Sequence, residues 1–254
     1  MEIPFEPILL GRTLNIHLIF EYLAFFVAYR YYRFLKKNQI DAIGELNRLS
    51  IIIGAIFGAF IGSRVIGFLE NPLFLKFEGL TTIIQLFNLK TIMGGLFGGL
   101  LGVELSKKVI GEKQSSGDLF TFPIILGIMI GRIGCFLYGI NEFTYGIETS
   151  FFTGIDIGDG LLRHPIALYE IVFLAFLMYL LRKISYKKLP AGGLFKLFMI
   201  FYFGFRFFIE FLKPNVFYVL GISSIQFLCI LCWFYYLTTI KKIVNYARKR
   251  LYLL

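Results

Sequence analysis

The chain has 254 residues, 57% of them hydrophobic and 19% aromatic, with a formal net charge of +10 and a mean hydropathy of +0.75. A soluble domain of this length does not need so much apolar surface, so the composition excludes an ordinary water-soluble fold. Windows of about 20 residues read instead as membrane spans.

In chain order the spans are predicted at 15–34, 49–69, 91–106, 119–139, 165–182, 194–212 and 219–240. The expected fold class is all-α: a polytopic membrane protein of seven transmembrane helices, with 1–254 forming a single transmembrane domain. The first span is not expected to be a cleavable signal. It carries Glu21, and its basic residues Arg30, Arg33, Lys36 and Lys37 follow the apolar stretch rather than precede it. Gly54, Gly58 and Gly62 in span two, and the run Thr-Ile-Met-Gly-Gly-Leu-Phe-Gly-Gly-Leu-Leu-Gly (91–102) in span three, form small-xxx-small stripes that suit close helix packing. The loop 140–163 carries Glu142, Glu148, Asp156 and Asp159 and is long enough for a small periplasmic cap. Arg163-His164-Pro165 then opens span five, with proline at a helix start where its missing N–H is harmless.

Basic residues set the orientation. The loops after spans one, three and five and the C-terminal tail, counted with Arg30, Arg33 and Arg182 at the adjoining span ends, hold 17 Lys and Arg, against 5 in the N-terminal segment and the remaining loops. The positive-inside rule puts the N-terminus outside and the C-terminus in the cytoplasm. The tail residues Lys241, Lys242, Arg248, Lys249 and Arg250 are expected to rest against anionic membrane lipids. Because this asymmetry accounts for most of the net charge, the basic balance is no argument for a nucleic-acid partner. Cys135, Cys229 and Cys232 all fall within spans, and no His/Cys cluster has zinc spacing, so neither a metal nor a cofactor is expected.

Five ionisable residues on five spans fall at one depth. At a rise of about 1.5 Å per residue, Glu21, Arg64, Arg132, Glu170 and Arg206 each lie roughly 9–10 Å below the outer surface. Glu210 is one turn shallower than Arg206 on the same face. Charge inside a bilayer is costly and commonly marks a working cavity. One reading is a set of buried ion pairs that fix helix packing, with Arg206 and Glu210 paired at i and i+4. The other is a polar chamber whose arginines take a phosphate bidentately. Gly131 and Gly134 flank Arg132 and would let a ligand approach it. His164 and His17, at the membrane boundary, are candidate bases near neutral pH or helix-end histidines bonded to backbone.

The motifs resemble the prolipoprotein diacylglyceryl transferases of bacterial inner membranes, over nearly the whole chain. Gly131-Arg132-Ile133-Gly134, followed by Phe136 and Gly139, is similar to the family signature Gly-Arg-x-Gly-Asn-Phe-x-Asn-Gly. Arg163-His164-Pro165 with Leu168-Tyr169-Glu170 is similar to Arg-His-Pro-x-Gln-Leu-Tyr-Glu. Tyr202 to Arg206, with Glu210, is similar to Tyr-Gly-x-x-Arg-x-x-x-Glu, and Gly98-Gly99-Leu100 and Ile222-Ser223 to Gln226 match shorter stretches. The resemblance implies transfer of the diacylglyceryl group of phosphatidylglycerol to the lipobox cysteine of a prolipoprotein. It implies Arg132 and Arg206 as catalytic residues that hold the lipid phosphate; because the family's span-three histidine is Phe97 here, the base is expected to be His164, Tyr202 or a carboxylate such as Glu142. Gly134, Tyr202, Arg64 and Glu210, with the two arginines, would bind the lipid. Three positions depart from the family: Cys135 replaces the signature asparagine, Phe97 a histidine, and Ile19 a tyrosine, with Tyr22 out of register. The alternatives are a divergent relative that moves a lipid-derived group to another acceptor, and a non-enzymatic transporter.

Overall fold

The structure, a computed structural model, describes residues 3–9, 11–38, 43–70, 89–185, 189–215 and 221–251. The segment 71–88, predicted as the loop after span two, and the first residues of the span predicted from 219 lie outside them. The described chain is mostly helical: α1 Ile16–Asn38, α2 Glu45–Glu70, α3 Ile92–Ile110, α4 Asp118–Tyr138, α5 Ile166–Ser185, α6 Gly193–Ile209, α7 Ser224–Tyr235 and α8 Leu237–Leu251. Among described residues α2, and α4 with the turn after it, are long and apolar enough to cross a membrane, and α7 with α8 qualifies as a bent pair. This agrees with an all-α membrane protein. Two short antiparallel ribbons are additions that hydropathy does not signal: β1 Ile8–Leu9 with β2 Arg12–Thr13, and β3 Ile155–Asp156 with β4 Leu162–Arg163.

Contacts divide the chain into two interleaved compact units. The first comprises 1–41, 116–198 and 211–214, and the second 42–115, 199–210 and 215–254. In the first unit α1 lies along α4. Asn15 Oδ1 accepts from Leu18 N at 3.0 Å and starts α1. Tyr32 and Phe120 stack at 4.6 Å at one end of the contact. At the other end, a Cβ on Gly134 would lie 2.6 Å from Phe20 Cβ, so only glycine admits α1 there. Pro165 precedes α5, whose buried face of Ile166, Ala167, Glu170, Leu174, Leu177 and Leu181 repeats at helical spacing. Asp156 and Asp159 act locally: Asp156 Oδ1 accepts from Gly158 N and Gly160 N at 2.9 and 3.1 Å, closing the β3–β4 turn, and Asp159 Oδ2 accepts from Arg163 Nε at 2.7 Å. The backbone donors, Gly158 first, hold the Asp156 carboxyl below the usual carboxylate range.

The second unit is built on the glycine stripes. A Cβ on Gly58 would sit 2.2 Å from Gly98 O, and one on Gly102 would sit 2.1 Å from Gly54 O, so α2 and α3 meet backbone to backbone. Helix packing is therefore what these glycines do. Thr91 caps α3 by accepting from Gly94 N at 3.0 Å. Ser223 and Gln226 form a reciprocal capping box at the start of α7, and Gln226 Nε2 donates to Phe207 O at 3.0 Å. The span predicted at 219–240 is broken. Its axis turns by 68° after Tyr235, where an apolar run gives way to the amphipathic basic sequence of α8.

Candidate active site

In the first unit Arg132 projects from α4 and Glu170 from the second turn of α5. Arg132 is 5% exposed and Glu170 is 0%, and Arg132 Nε lies 3.0 Å from Glu170 Oε1. The contact is an ion pair rather than an aligned hydrogen bond. Arg132 Nη1 also reaches Cys135 Sγ, one turn on, at 3.7 Å. A lone ion at this burial would be strongly destabilising, and each group of the pair offsets the other. Of the flanking glycines, Gly134 is filled against by α1, whereas a Cβ on Gly131 would meet nothing within 4 Å. Open space therefore lies beside Gly131 and not beside Gly134.

His164 stands between β4 and the start of α5. Its backbone is fixed on both sides, accepting from Gly146 N at 3.0 Å and donating to Ile147 O at 3.1 Å. Its Nδ1 is 3.1 Å from the Tyr169 hydroxyl, which is itself hydrogen-bonded to Thr153 Oγ1. This chain of three groups orients the imidazole. His164 lines a small pocket with Cys135, Thr144, Tyr145, Ile157 and Pro165, holding little more than one water. Glu142 follows the 3-10 turn Gly139–Asn141 and faces His17, with Oε2 3.8 Å from Nδ1. His17 stacks on Tyr138 at 6.0 Å.

In the second unit Arg206, 3% exposed, pairs with Glu210, 0% exposed, through Nη2 and Oε2 at 2.9 Å. This is the i,i+4 pair expected from spacing. Asn215 Nδ2 donates to the other carboxylate oxygen at 2.7 Å and to Glu210 O at 3.1 Å. Tyr202, one turn before Arg206, is fully buried and meets Phe203 edge to face. Arg64 spends Nη1 on Leu89 O at 3.0 Å and lays its guanidinium over Phe60 at 5.1 Å, so it braces the segment before α3. Phe97 lies 6.4 Å from the Phe203 ring in an apolar setting.

Against this geometry, the prolipoprotein diacylglyceryl transferase pattern matches residues 9–241. The chain belongs to the prolipoprotein diacylglyceryl transferase family. Relatives named phosphatidylglycerol--prolipoprotein diacylglyceryl transferase are similar at moderate identity. One from Nitratidesulfovibrio vulgaris (strain DP4) is 31% identical over 188 residues, covering 70% of this chain and 66% of the relative. One from Pseudoalteromonas atlantica is 34% identical over 167 residues, covering 62% and 59%. One from Finegoldia magna is 30% identical over 195 residues, covering 73% and 74%. The match thus spans just under two thirds of the length of the first of these relatives.

For a prolipoprotein diacylglyceryl transferase family member, the departures now have surroundings. Cys135 is buried beside Arg132, Phe97 lies near the Phe203 ring, and Ile19 and Tyr22 are 44% and 68% exposed. Sequence reasoning placed Glu170 in the charged layer without giving it Arg132 as partner, and missed Tyr169 and Thr153 as supports of His164. The Leu-Tyr-Glu run contained the signal: Tyr169 and Glu170 are adjacent, so one turn of α5 serves both His164 and Arg132.

Proposed function

We propose that this chain transfers the diacylglyceryl group of phosphatidylglycerol to the lipobox cysteine of a prolipoprotein. The reaction would run near the outer face of a bacterial inner membrane, within one transmembrane domain. Seven spans, an outside N-terminus and a cytoplasmic C-terminus complete the reading, with 140–163 as the periplasmic cap. The observation that carries it is the burial of Arg132 and Arg206, each beside a carboxylate, Glu170 and Glu210, on the two segments whose motifs match the family.

The chemistry suits those residues. The lipobox thiolate attacks the glycerol carbon that bears the phosphate ester. A C–S bond forms, the C–O bond breaks, and its electrons leave on glycerol phosphate. Negative charge moves onto a phosphate oxygen, so pre-placed guanidiniums lower the barrier by stabilising the leaving group. Arg132 and Arg206 take that role, with their carboxylates fixing guanidinium orientation before lipid arrives. Glu210 and Tyr202 support Arg206; Arg64 and Gly134 serve as scaffold. The thiol proton needs a base. His164, oriented by Tyr169, fits that task, and Glu142 beside His17 is the nearby carboxylate alternative.

One observation favours a second reading. Phe97 cannot move a proton and Cys135 has replaced an amide, which suits a relative that binds the same anionic lipid but uses another acceptor. Complementation of a transferase-depleted bacterium, with mass analysis of the lipobox cysteine, separates the two. Thioether-linked diacylglycerol supports the first reading; stable protein without growth or modification supports the second.

A further inference from the structure

The cap displays an aromatic pair for which the transfer chemistry has no use. Phe151 and Phe152 are 55% and 87% exposed, with ring centroids 4.5 Å apart. Leu162, 52% exposed, borders them: a Cβ on Gly154 would be 3.1 Å from Phe151 O and 3.3 Å from Leu162 Cβ. The turn is held by its own bonds. Gly154 N donates to Phe151 O at 2.8 Å, Phe151 N to Thr149 Oγ1 at 3.1 Å, and Thr149 N to Leu162 O at 2.8 Å. An ordered turn that presents two adjacent phenylalanines outward marks an interaction surface.

Its height is fixed by α5. Thr153 is hydrogen-bonded to Tyr169, three residues after Ile166 opens the helix, which is about 5 Å along it. Phe152, the neighbour of Thr153, is therefore tethered to the first turn of α5. If α5 crosses the bilayer, that level is the head-group boundary, where apolar and aromatic side chains dock. The segment Thr149-Ser150-Phe151-Phe152-Thr153-Gly154 carries no charge, so nothing in it repels an anionic leaflet.

We infer that Phe151, Phe152 and Leu162 form a wedge that inserts into the outer-leaflet head-group boundary beside α5 and fixes the height of the cap. The inference rests on the reading of α5 as a span, and the experiment separates the two. Trp233 is the chain's one tryptophan. The full-length protein with Trp233→Phe receives either Phe152→Trp or Val172→Trp, the latter on α5 at a site 69% exposed. Each variant is placed in phosphatidylcholine–phosphatidylglycerol vesicles brominated near the head group or near the chain ends. Both reporters should be quenched by lipid bromine, the Phe152→Trp reporter far more by the shallow than by the deep position. Quenching of Val172→Trp with unquenched, water-like emission from Phe152→Trp would overturn the wedge and leave the span standing. No quenching of either would remove both. Quenching or a blue shift of Phe152→Trp only after a lipobox peptide is added would assign the patch to the peptide and overturn the lipid assignment.

Discussion

Replacing Glu170 by Gln keeps the side-chain shape and removes the charge that faces Arg132. The wild-type pair is buried, with side-chain exposures of 7% for Arg132 and 0% for Glu170. Removing one member of such a pair leaves a buried charge uncompensated, which costs about 3–5 kcal/mol. At about 1.4 kcal/mol per decade, the folded fraction relative to unfolded should fall by roughly two to three and a half orders of magnitude. A phosphate can replace the missing carboxylate if Arg132 is a lipid-phosphate ligand. Phosphatidylglycerol should then stabilise Glu170→Gln more than it stabilises wild type, whereas phosphatidylcholine, zwitterionic overall, should restore less. The double variant Arg132→Gln/Glu170→Gln removes both charges and should regain much of the stability while losing transfer. The assay is thermal unfolding in detergent across a titration of each lipid. A Glu170→Gln protein as stable as wild type would show that the pair is not a buried ion pair. Equal stabilisation of Glu170→Gln and wild type by phosphatidylglycerol would remove Arg132 from the phosphate site.

Arg206→Gln/Glu210→Gln, which removes both buried charges together, should retain helical content and lose transfer by about 100-fold or more, the scale for one preorganised charge-stabilising donor; normal transfer would end the proposed clamp. His164→Asn should slow transfer by about 100-fold near neutral pH and flatten the acid limb, since a base acts only when unprotonated; an unchanged pH–rate profile would move the role to Glu142. Gly98→Val forces atoms against Gly58 O, where a Cβ would already lie 2.3 Å away, and should destabilise the α2–α3 contact by at least about 1–3 kcal/mol; wild-type thermal stability would refute that contact. Asp156 has its carboxyl held below its ordinary range by the Gly158 and Gly160 amides, so its support of the β3–β4 turn is complete at neutral pH and fades as pH falls through the lowered value. Asp156→Ala should therefore loosen the β3–β4 turn at neutral pH and erase that acid dependence, as amide exchange at Gly158 and Gly160 would report.

Much of the scaffold was legible because membranes impose a local code. Apolar length, the small-residue stripes of α2 and α3, and the Arg206–Glu210 pair all depend on residues within a turn or two of each other. The break after Tyr235 was less legible, since 219–240 is apolar enough by average to read as one span while its amphipathic end turns away. The ribbon β3–β4 escaped notice because two-residue strands leave no periodicity to detect. Tyr169 was visible as part of a motif, but its partners were not, because His164 and Thr153 precede α5 rather than lie on it.

The amino-acid sequence alone determined which stretches are apolar helices, which charges lie within them, and which motifs the chain shares with its family, because hydropathy and helical spacing are properties of neighbours in the chain. Only tertiary structure decided that Arg132 meets Glu170, that α1 packs against Gly134, and that His17 faces Glu142. Those pairings depend on how separate helices rotate and cross. One step of rotation about a helix axis, about 100°, redirects a buried charge to another neighbour without changing a single residue.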